Sequence, residues 1–339
     1  MRSKVLLHDN QLCERGTTTS MIDYARALQS RGHDVEISHW AASPANVPAV
    51  VERVRSEFVV HSHLDRYELG DTSKGYDAGY FIKSGQNDGL ILAEGQSLVH
   101  AVFQVYEPHG TRYAYISQWL AEMMSAEIAA QASDFPLPAS RDDANYRAFE
   151  HLDLIVDTPA PQQGIREALG IPEDAFVILR FGGRDTFDIG WAQQTVVRML
   201  ERHKNWYFVG LNTNRFTDHE RAIFVPMVMD AVEKSSIIAA ADVFLTARGQ
   251  GEAFGVAVAE ALQIGIPVLA WDGGIDRNHI AMLDGLGGLF RRPWDLRRRL
   301  RRIAGGHDPA STAARQARGN QFRPHVVTPK LETMLGLES

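Results

Sequence analysis

Cysteine is nearly absent from this sequence: Cys13 is the only one in 339 residues. No intrachain disulfide can form, and a cytoplasmic setting is the expectation. Cys13 itself reads as a small packed residue rather than a reactive thiol. No run approaches the roughly 20 apolar residues of a membrane-spanning helix. The start, Met1–His8, has too short an apolar stretch for a signal peptide and reads as a strand. Excess positive charge is missing too. The chain has 35 basic and 42 acidic residues, a formal charge of −7, which offers no general reason to expect nucleic acid as a partner. There is no low-complexity tract, no short-period repeat and no complete dinucleotide fingerprint, so a nicotinamide cofactor is not expected. No Asp-X-Asp triplet occurs.

What is present is ordinary globular material, 45% hydrophobic and 23% charged. The length predicts two domains. Short apolar runs alternate with helical patterns. Strand-like runs are Lys4–His8, Val35–Trp40, Phe58–His61, Gly79–Ile82, Leu98–Val105 and Tyr113–Ser117. The rhythm resumes with Phe176–Phe181, Trp206–Leu211, Arg221–Val228, Val243–Thr246 and Pro267–Ala270. Alternation of this kind predicts an α/β protein with parallel sheets covered by helices, here two doubly wound, Rossmann-like domains facing across a cleft. Ligands in such folds bind outside the carboxyl ends of strands. Pro159 and Pro161 stop regular structure, which places the boundary near Asp157–Pro161. The expected domains are 1–157, an N-terminal acceptor-side domain, and 158–322, a ligand-binding C-terminal domain. The tail, 323–339, has a helical stretch at Lys330–Leu337.

The densest chemistry lies at Gly251-Glu252-Ala253-Phe254-Gly255, followed by a helical pattern from Val256 that carries Glu260. Gly255 lets backbone amides approach a ligand. The unpaired N–H groups and positive dipole end of a helix suit a pyrophosphate. Glu252, just before the helix, is placed to meet hydroxyls. Glu260, about one turn inside, can accept both hydroxyls of a ribose. The alternative is an ordinary strand-turn-helix unit with two surface carboxylates.

This stretch resembles the retaining glycosyltransferases of GT-B fold, of the family 4-like type with two glutamates separated by seven residues. Ala241–Leu245 and Gly265–Ala270 extend the likeness. Phe181-Gly182-Gly183-Arg184, Leu169–Val177 and the early segments Glu14–Thr19 and Tyr24–Leu28 extend it further. The resemblance implies a hexosyltransferase-like enzyme that retains configuration and needs no metal. A nucleotide diphosphate sugar, UDP- or GDP-linked, would be the substrate, with no cofactor and no metal ligands. The acceptor would be a small molecule, a glycan or a lipid-linked sugar. It also implies that Glu252 faces the donor sugar, Glu260 holds the ribose and Arg184 meets the phosphates. The tail helix would cross back to the first domain. The family's usual lysine falls on Ile189, before Gly190, and Arg248 is taken as the second positive charge.

Other candidates carry a structural alternative beside the functional one. Gly183 frees the backbone before Arg184, which pairs otherwise with Asp185 or Asp188. Ala253 and Phe254 complete the turn. Asn212 and Thr213, ending a strand, line a nucleotide pocket or make a turn. Arg15, Gly16 and Thr17 form a ligand loop after the first strand, or a capping turn. His109 is a catalytic candidate through a sugar hydroxyl or a proton, with His100 and Gln104 as rivals, or is purely structural. Lys83 is a cation aimed into the cleft, or a solvated lysine. His61 and His63 share a strand face without an obvious third ligand. The run Arg291–Ile303 is either a peripheral contact for anionic lipid or a core-packed helix with a charged outer face. Two further readings stay open: a degenerate, non-catalytic nucleotide-sugar binder, and a sugar-nucleotide epimerase.

Overall fold

The computed structural model describes residues 2–63, 68–69, 74–131 and 149–337. It divides into two compact units, Met1–Val156 with Phe322–Ser339, and Asp157–Gln321. In chain order the elements are β1 (Lys4–Asp9), α1 (Gly16–Ser30), β2 (Asp34–Trp40), α2 (Pro48–Arg55), β3 (Val59–His63), β4 (Ala78–Lys83), β5 (Gln96–Ala101), β6 (Arg112–Tyr115), α3 (Gln118–Gln131) and β7 (Glu150–His151). Then follow α4 (Ile165–Ala168), β8 (Phe176–Phe181), α5 (Gly190–Arg202), β9 (Trp206–Leu211), β10 (Ala222–Val225), α6 (Ala231–Ala239), β11 (Val243–Thr246), β12 (Gly251–Glu252), α7 (Val256–Ile264) and β13 (Val268–Trp271). The last are β14 (Asp276–Arg277), α8 (Asn278–Leu283), β15 (Gly288–Phe290), α9 (Pro293–Ala304), α10 (Thr312–Gly319) and α11 (Pro324–Leu335).

The first unit holds a seven-stranded sheet in the order β3-β2-β1-β4-β5-β6-β7, parallel throughout. Its central strands are apolar on both faces because helices cover both: Val5, Leu6, Leu7, Tyr80, Phe81, Leu98 and Val99 are all buried. Helix α11 packs on α1, β4 and β5 of this same unit. Arg31 and His33 tie it down through Glu332, at 3.0 and 3.2 Å. It begins at Pro324 rather than at Lys330, because proline at the first turn has no amide to leave unpaired.

The second unit holds a six-stranded parallel sheet, β10-β9-β8-β11-β13-β15, and a separate two-residue pair, β12-β14. Ile178, Phe208, Val243, Leu245, Leu269 and Phe290 form its core. Leu296 and Leu300 of α9 are fully buried in that core while the arginines face outward. The strand expected at Arg221–Val228 shortens to β10, and the one at Leu98–Val105 to β5. The parallel connections leave sheet register at Val102 and Pro226, where the chain must turn back. Among the described residues no helix is long and apolar enough to cross a membrane.

Candidate functional site

In the second unit the chain runs outward in opposite directions from β8 and β11: β9 and β10 lie on one side, β13 and β15 on the other. Such a switch point opens a crevice at the strands' carboxyl ends. Gly182, Gly183 and Arg184 follow β8, and the segment Ala247–Glu252 follows β11, so these candidates converge on one edge.

The turn after β8 is tightly specified. Gly182 has φ +140°, and a β-carbon there would lie 2.7 Å from Nη1 of Arg180. Asn212, itself left-handed at φ 48°, donates its side-chain amide to the Gly182 carbonyl at 2.9 Å. The Gly183 carbonyl accepts from the Thr186 hydroxyl at 2.8 Å. Arg184 is exposed, and among the described residues its guanidinium makes no ion pair. Asp185 takes Asn214 at 2.5 Å, and Asp188 takes the Gly249 amide at 2.7 Å, so neither acid pairs with Arg184. Arg184, Asn212, Thr213 and Asn214 line a cavity of about 310 Å³ whose far wall is Phe224, Val225 and Pro226. Arg215 lies 4.8 Å from the Phe224 ring centroid. One aromatic ring, two aliphatic side chains and several amide and hydroxyl groups around such a volume suit a flat, hydrogen-bonding ring.

The second arm is built on glycines. Gly251 has φ +81°, and a β-carbon there would fall 1.8 Å from the Asp276 carbonyl, so no other residue fits the β12-β14 pair. Gly255 caps α7 with φ 96°, and no side chain caps that helix. Its first amides are therefore left without side-chain partners at a positive dipole end. The Glu252 Cβ lies 3.5 Å from the β-carbon position of Gly255, so the carboxylate stem stands against the helix tip. Ala253 precedes the buried Phe254, whose carbonyl is held by Asn278 at 2.7 Å.

Two cations and one carboxylate differ from expectation. Arg248 donates to Glu252 at 2.8 Å, so its charge is committed to that carboxylate rather than left for a phosphate. Glu260 is not free either: Lys234 Nζ lies 2.6 Å from Oε1. Lys83 is not a cleft cation. Its side chain is fully buried, bonded to Asp88 at 2.6 Å and to the Leu90 carbonyl at 2.7 Å. Burial pushes its pKa down, against the pull of Asp88. A strand-end lysine covered by its own following loop cannot be distinguished from an exposed one by sequence spacing.

In the first unit the analogous switch lies at β1 and β4. Asp9, buried at the end of β1, accepts from Thr18 at 2.9 Å, which fixes the loop ahead of α1. Burial raises the Asp9 pKa to about 6. Arg15 and Gly16 stay exposed, Thr17 is half-buried, and no side chain caps α1. His109 sits three residues before β6, at the amino end of that strand, with its ring centroid 5.9 Å from that of Tyr113. Its Nδ1 meets the Glu107 carbonyl at 2.6 Å, and burial lowers its pKa. His100 is spent in the core on Tyr80 and the Leu152 carbonyl, at 2.7 and 2.8 Å. His63 stacks on His8, with centroids 5.1 Å apart, while His61 bonds Glu36 at 2.5 Å, so the two histidines of β3 serve different contacts.

Sequence reading missed Arg180, Lys234 and His279. Arg180 had a signal: it is the one charge inside the apolar strand Phe176–Phe181. Only about 1% of it is exposed, and burial lowers its pKa to about 10, with Glu252 and Asp188 opposing the shift and Arg248 adding to it. His279 is buried against Gly251, with one ring nitrogen on the Trp271 carbonyl at 2.9 Å. Neither Lys234 nor His279 sits in a motif.

No family model matches the chain, and no curated protein matches it. Solved structures do. HepE from Anabaena, in complex with UDP-glucose, aligns with a TM-score of 0.74 at 14% identity, over 99% of this chain and 100% of that one. A glycosyltransferase from Rickettsia africae gives 0.71 at 12% identity, over 99% and 98%. Sucrose-phosphate synthase from Thermosynechococcus elongatus gives 0.66 at 15% identity, over 99% of both. With parallel sheets of seven and six strands, the chain has the GT-B fold of these glycosyltransferases.

Proposed function

We propose that this protein is a glycosyltransferase that moves a sugar from a UDP- or GDP-linked donor to an acceptor, with retention of configuration and without a metal ion. The observation that carries the reading is the convergence of the Gly182–Arg184 turn and the uncapped tip of α7 at the β8/β11 switch point. An uncapped helix tip and a glycine turn carrying an exposed arginine both suit an anion, and the helix tip has Glu252 against it. The donor's leaving diphosphate would gain charge there as the bond breaks, where fixed amides and Arg184 stabilise it without reorganising. Glu252 would orient the sugar through its hydroxyls once Arg248 shares the carboxylate with it. Glu260 would hold the ribose. The base would sit in the cavity beside Phe224 and Val225. The departing phosphate oxygen would take the acceptor's proton, so no dedicated carboxylate base is needed. The acceptor, a small molecule, a glycan or a lipid-linked sugar, would belong to the N-terminal unit.

The test is a thermal-shift panel of nucleoside diphosphates and their sugars, followed by transfer assays with and without a chelator and by NMR of the product anomer. A ligand of the native state raises the melting temperature with concentration. No stabilisation by any nucleotide would end the reading. A second reading, a nucleotide-sugar binder without transfer, is favoured by Ile189 packing against the core at the N-cap of α5. Binding without turnover across acceptor classes would select it.

Helix α9 is core-packed through Leu296 and Leu300, so a contact with an anionic lipid surface would rest on its outer arginines and Trp294 alone. Arg298, Arg301 and Arg302 face solvent beside Trp294, which is 52% exposed. Co-sedimentation with phosphatidylglycerol vesicles, lost in high salt and in Arg298→Glu/Arg301→Glu, is the expected outcome. Equal sedimentation of that variant would remove the contact.

A further inference from the structure

Arg180 is the most unusual charge in the chain. Among the described residues its Nε and Nη1 have no hydrogen-bond partner, and no carboxylate forms an ion pair with it. A desolvated cation with idle donors is costly unless something nearby uses its field. Its surroundings show what that is. Nη2 donates to the Gly183 carbonyl at 3.3 Å and to the Thr186 hydroxyl, while the Phe187 ring centroid lies 5.8 Å from Cζ. The same carbonyl also takes the Thr186 amide at 3.0 Å and its hydroxyl at 2.8 Å. In a trans peptide the carbonyl and the following N–H point in opposite directions. A Gly183 carbonyl pinned inward therefore turns the Arg184 amide away from Arg180. The Gly182 carbonyl, held by Asn212, likewise turns the Gly183 amide away from Asn212. Neither amide donates elsewhere among the described residues. The result is a pair of adjacent backbone donors beside the Arg184 guanidinium, with a buried positive charge beneath them.

We infer that Arg180 is a positioning residue for the donor's diphosphate: it locks the Gly182–Gly183 turn so that the amides of Gly183 and Arg184 meet the phosphates, and it supplies from below the second positive charge that Arg248 gives to Glu252. The inference rests on the proposed donor site and deepens it. Arg180 does not touch the ligand; the turn backbone lies between.

Isothermal titration of the full-length protein with uridine, UMP and UDP, and with the guanine series, provides the test, using wild type, Arg180→Met and Arg180→Lys. The expected result is that Arg180→Met loses at least ~10-fold in diphosphate affinity while nucleoside affinity is unchanged. Arg180→Lys, which keeps the charge but not the fork, recovers part of the loss. A merely structural role would weaken nucleoside and diphosphate binding together, and that outcome, like an unchanged diphosphate-to-nucleoside ratio, overturns the inference. Should Arg180→Met fail to fold, Arg180→Lys together with Thr186→Val carries the same comparison, since Thr186 closes the turn from the other side. Absence of nucleotide binding in the wild type would sink the donor site itself, an outcome separate from any variant's behaviour.

Discussion

Arg248 and Glu252 form a 2.8 Å ion pair across the loop between β11 and α7. The pair is partly exposed, with side chains 34% and 24% accessible, so it is a reversible clamp rather than a structural cornerstone. Arg248→Ala should cost less than about 1 kcal/mol of stability. Glu252→Gln should lower kcat on the order of 10²-fold, because a misplaced sugar loses the aligned geometry. Nucleoside diphosphate affinity should stay within about threefold of wild type. Steady-state kinetics beside a donor titration checks this. Wild-type turnover in Glu252→Gln would remove the residue from the chemistry.

Lys234 and Glu260 make a second pair, at 2.6 Å. If Glu260 serves a ribose, Lys234 competes with the ligand. Glu260→Ala should weaken nucleotide binding by ~10-fold, whereas Lys234→Ala should leave it equal or tighter. Titration of both variants decides; equal weakening in the two would mean the ion pair, not the carboxylate, is what binding needs.

Gly251→Ala would force a β-carbon to within 1.8 Å of the Asp276 carbonyl at φ +81°. Backbone must move, and the expected cost is about 2–4 kcal/mol. At ~2–4 °C per kcal/mol for a unit of this size, the melting temperature should fall by roughly 5–15 °C. Calorimetry provides the reading. A shift under about 2 °C would show that the β12-β14 pair is not constrained as described.

The N-terminal unit should be acid-labile. Burial lowers His8 to about 3 and His100 to about 4, so both fold as neutral rings. Below pH 6.5 the unfolded chain binds protons that the native state refuses, and stability is lost as pH falls toward those values. Asp9 opposes them. Its folded pKa is raised to about 6 from 3.8, so its penalty grows as pH rises between those values. Two histidines outweigh one carboxyl, and His39 and His109, also lowered by burial, act in the same direction, so stability rises with pH between about pH 4 and 6. Urea unfolding followed by the fluorescence of Trp40 and Trp119 should show a lower midpoint at pH 5 than at pH 7. His100→Gln should flatten the dependence and Asp9→Asn should steepen it. A midpoint independent of pH in the wild type would contradict the assigned burial effects.

The α/β class was legible because strand and helix periodicity survive in any single stretch of chain. Phe176–Phe181, Trp206–Leu211 and Val243–Thr246 are strands where the apolar runs place them. The short β7, β12, β14 and β15 were not legible. Two or three residues carry no period, and those strands exist only because a neighbour offers hydrogen bonds. Gly251 and Gly255 could be read as turn formers, but the carbonyl that makes Gly251 obligatory comes from Asp276, on a later loop.

Hydrophobic order along the chain thus determined the two-sheet architecture, and glycine placement marked where backbone comes close to something. Which charges are free, which are paired and which are buried was decided only in three dimensions. Lys234 meets Glu260, Asp188 meets the amide of Gly249, and Lys83 disappears under the loop that carries Asp88 and Leu90. The reason is physical. Apolar burial is a property of each residue and leaves a pattern in its own segment, whereas an ion pair is a property of two side chains. Its partner is chosen by the packing that brings distant segments within about 4 Å.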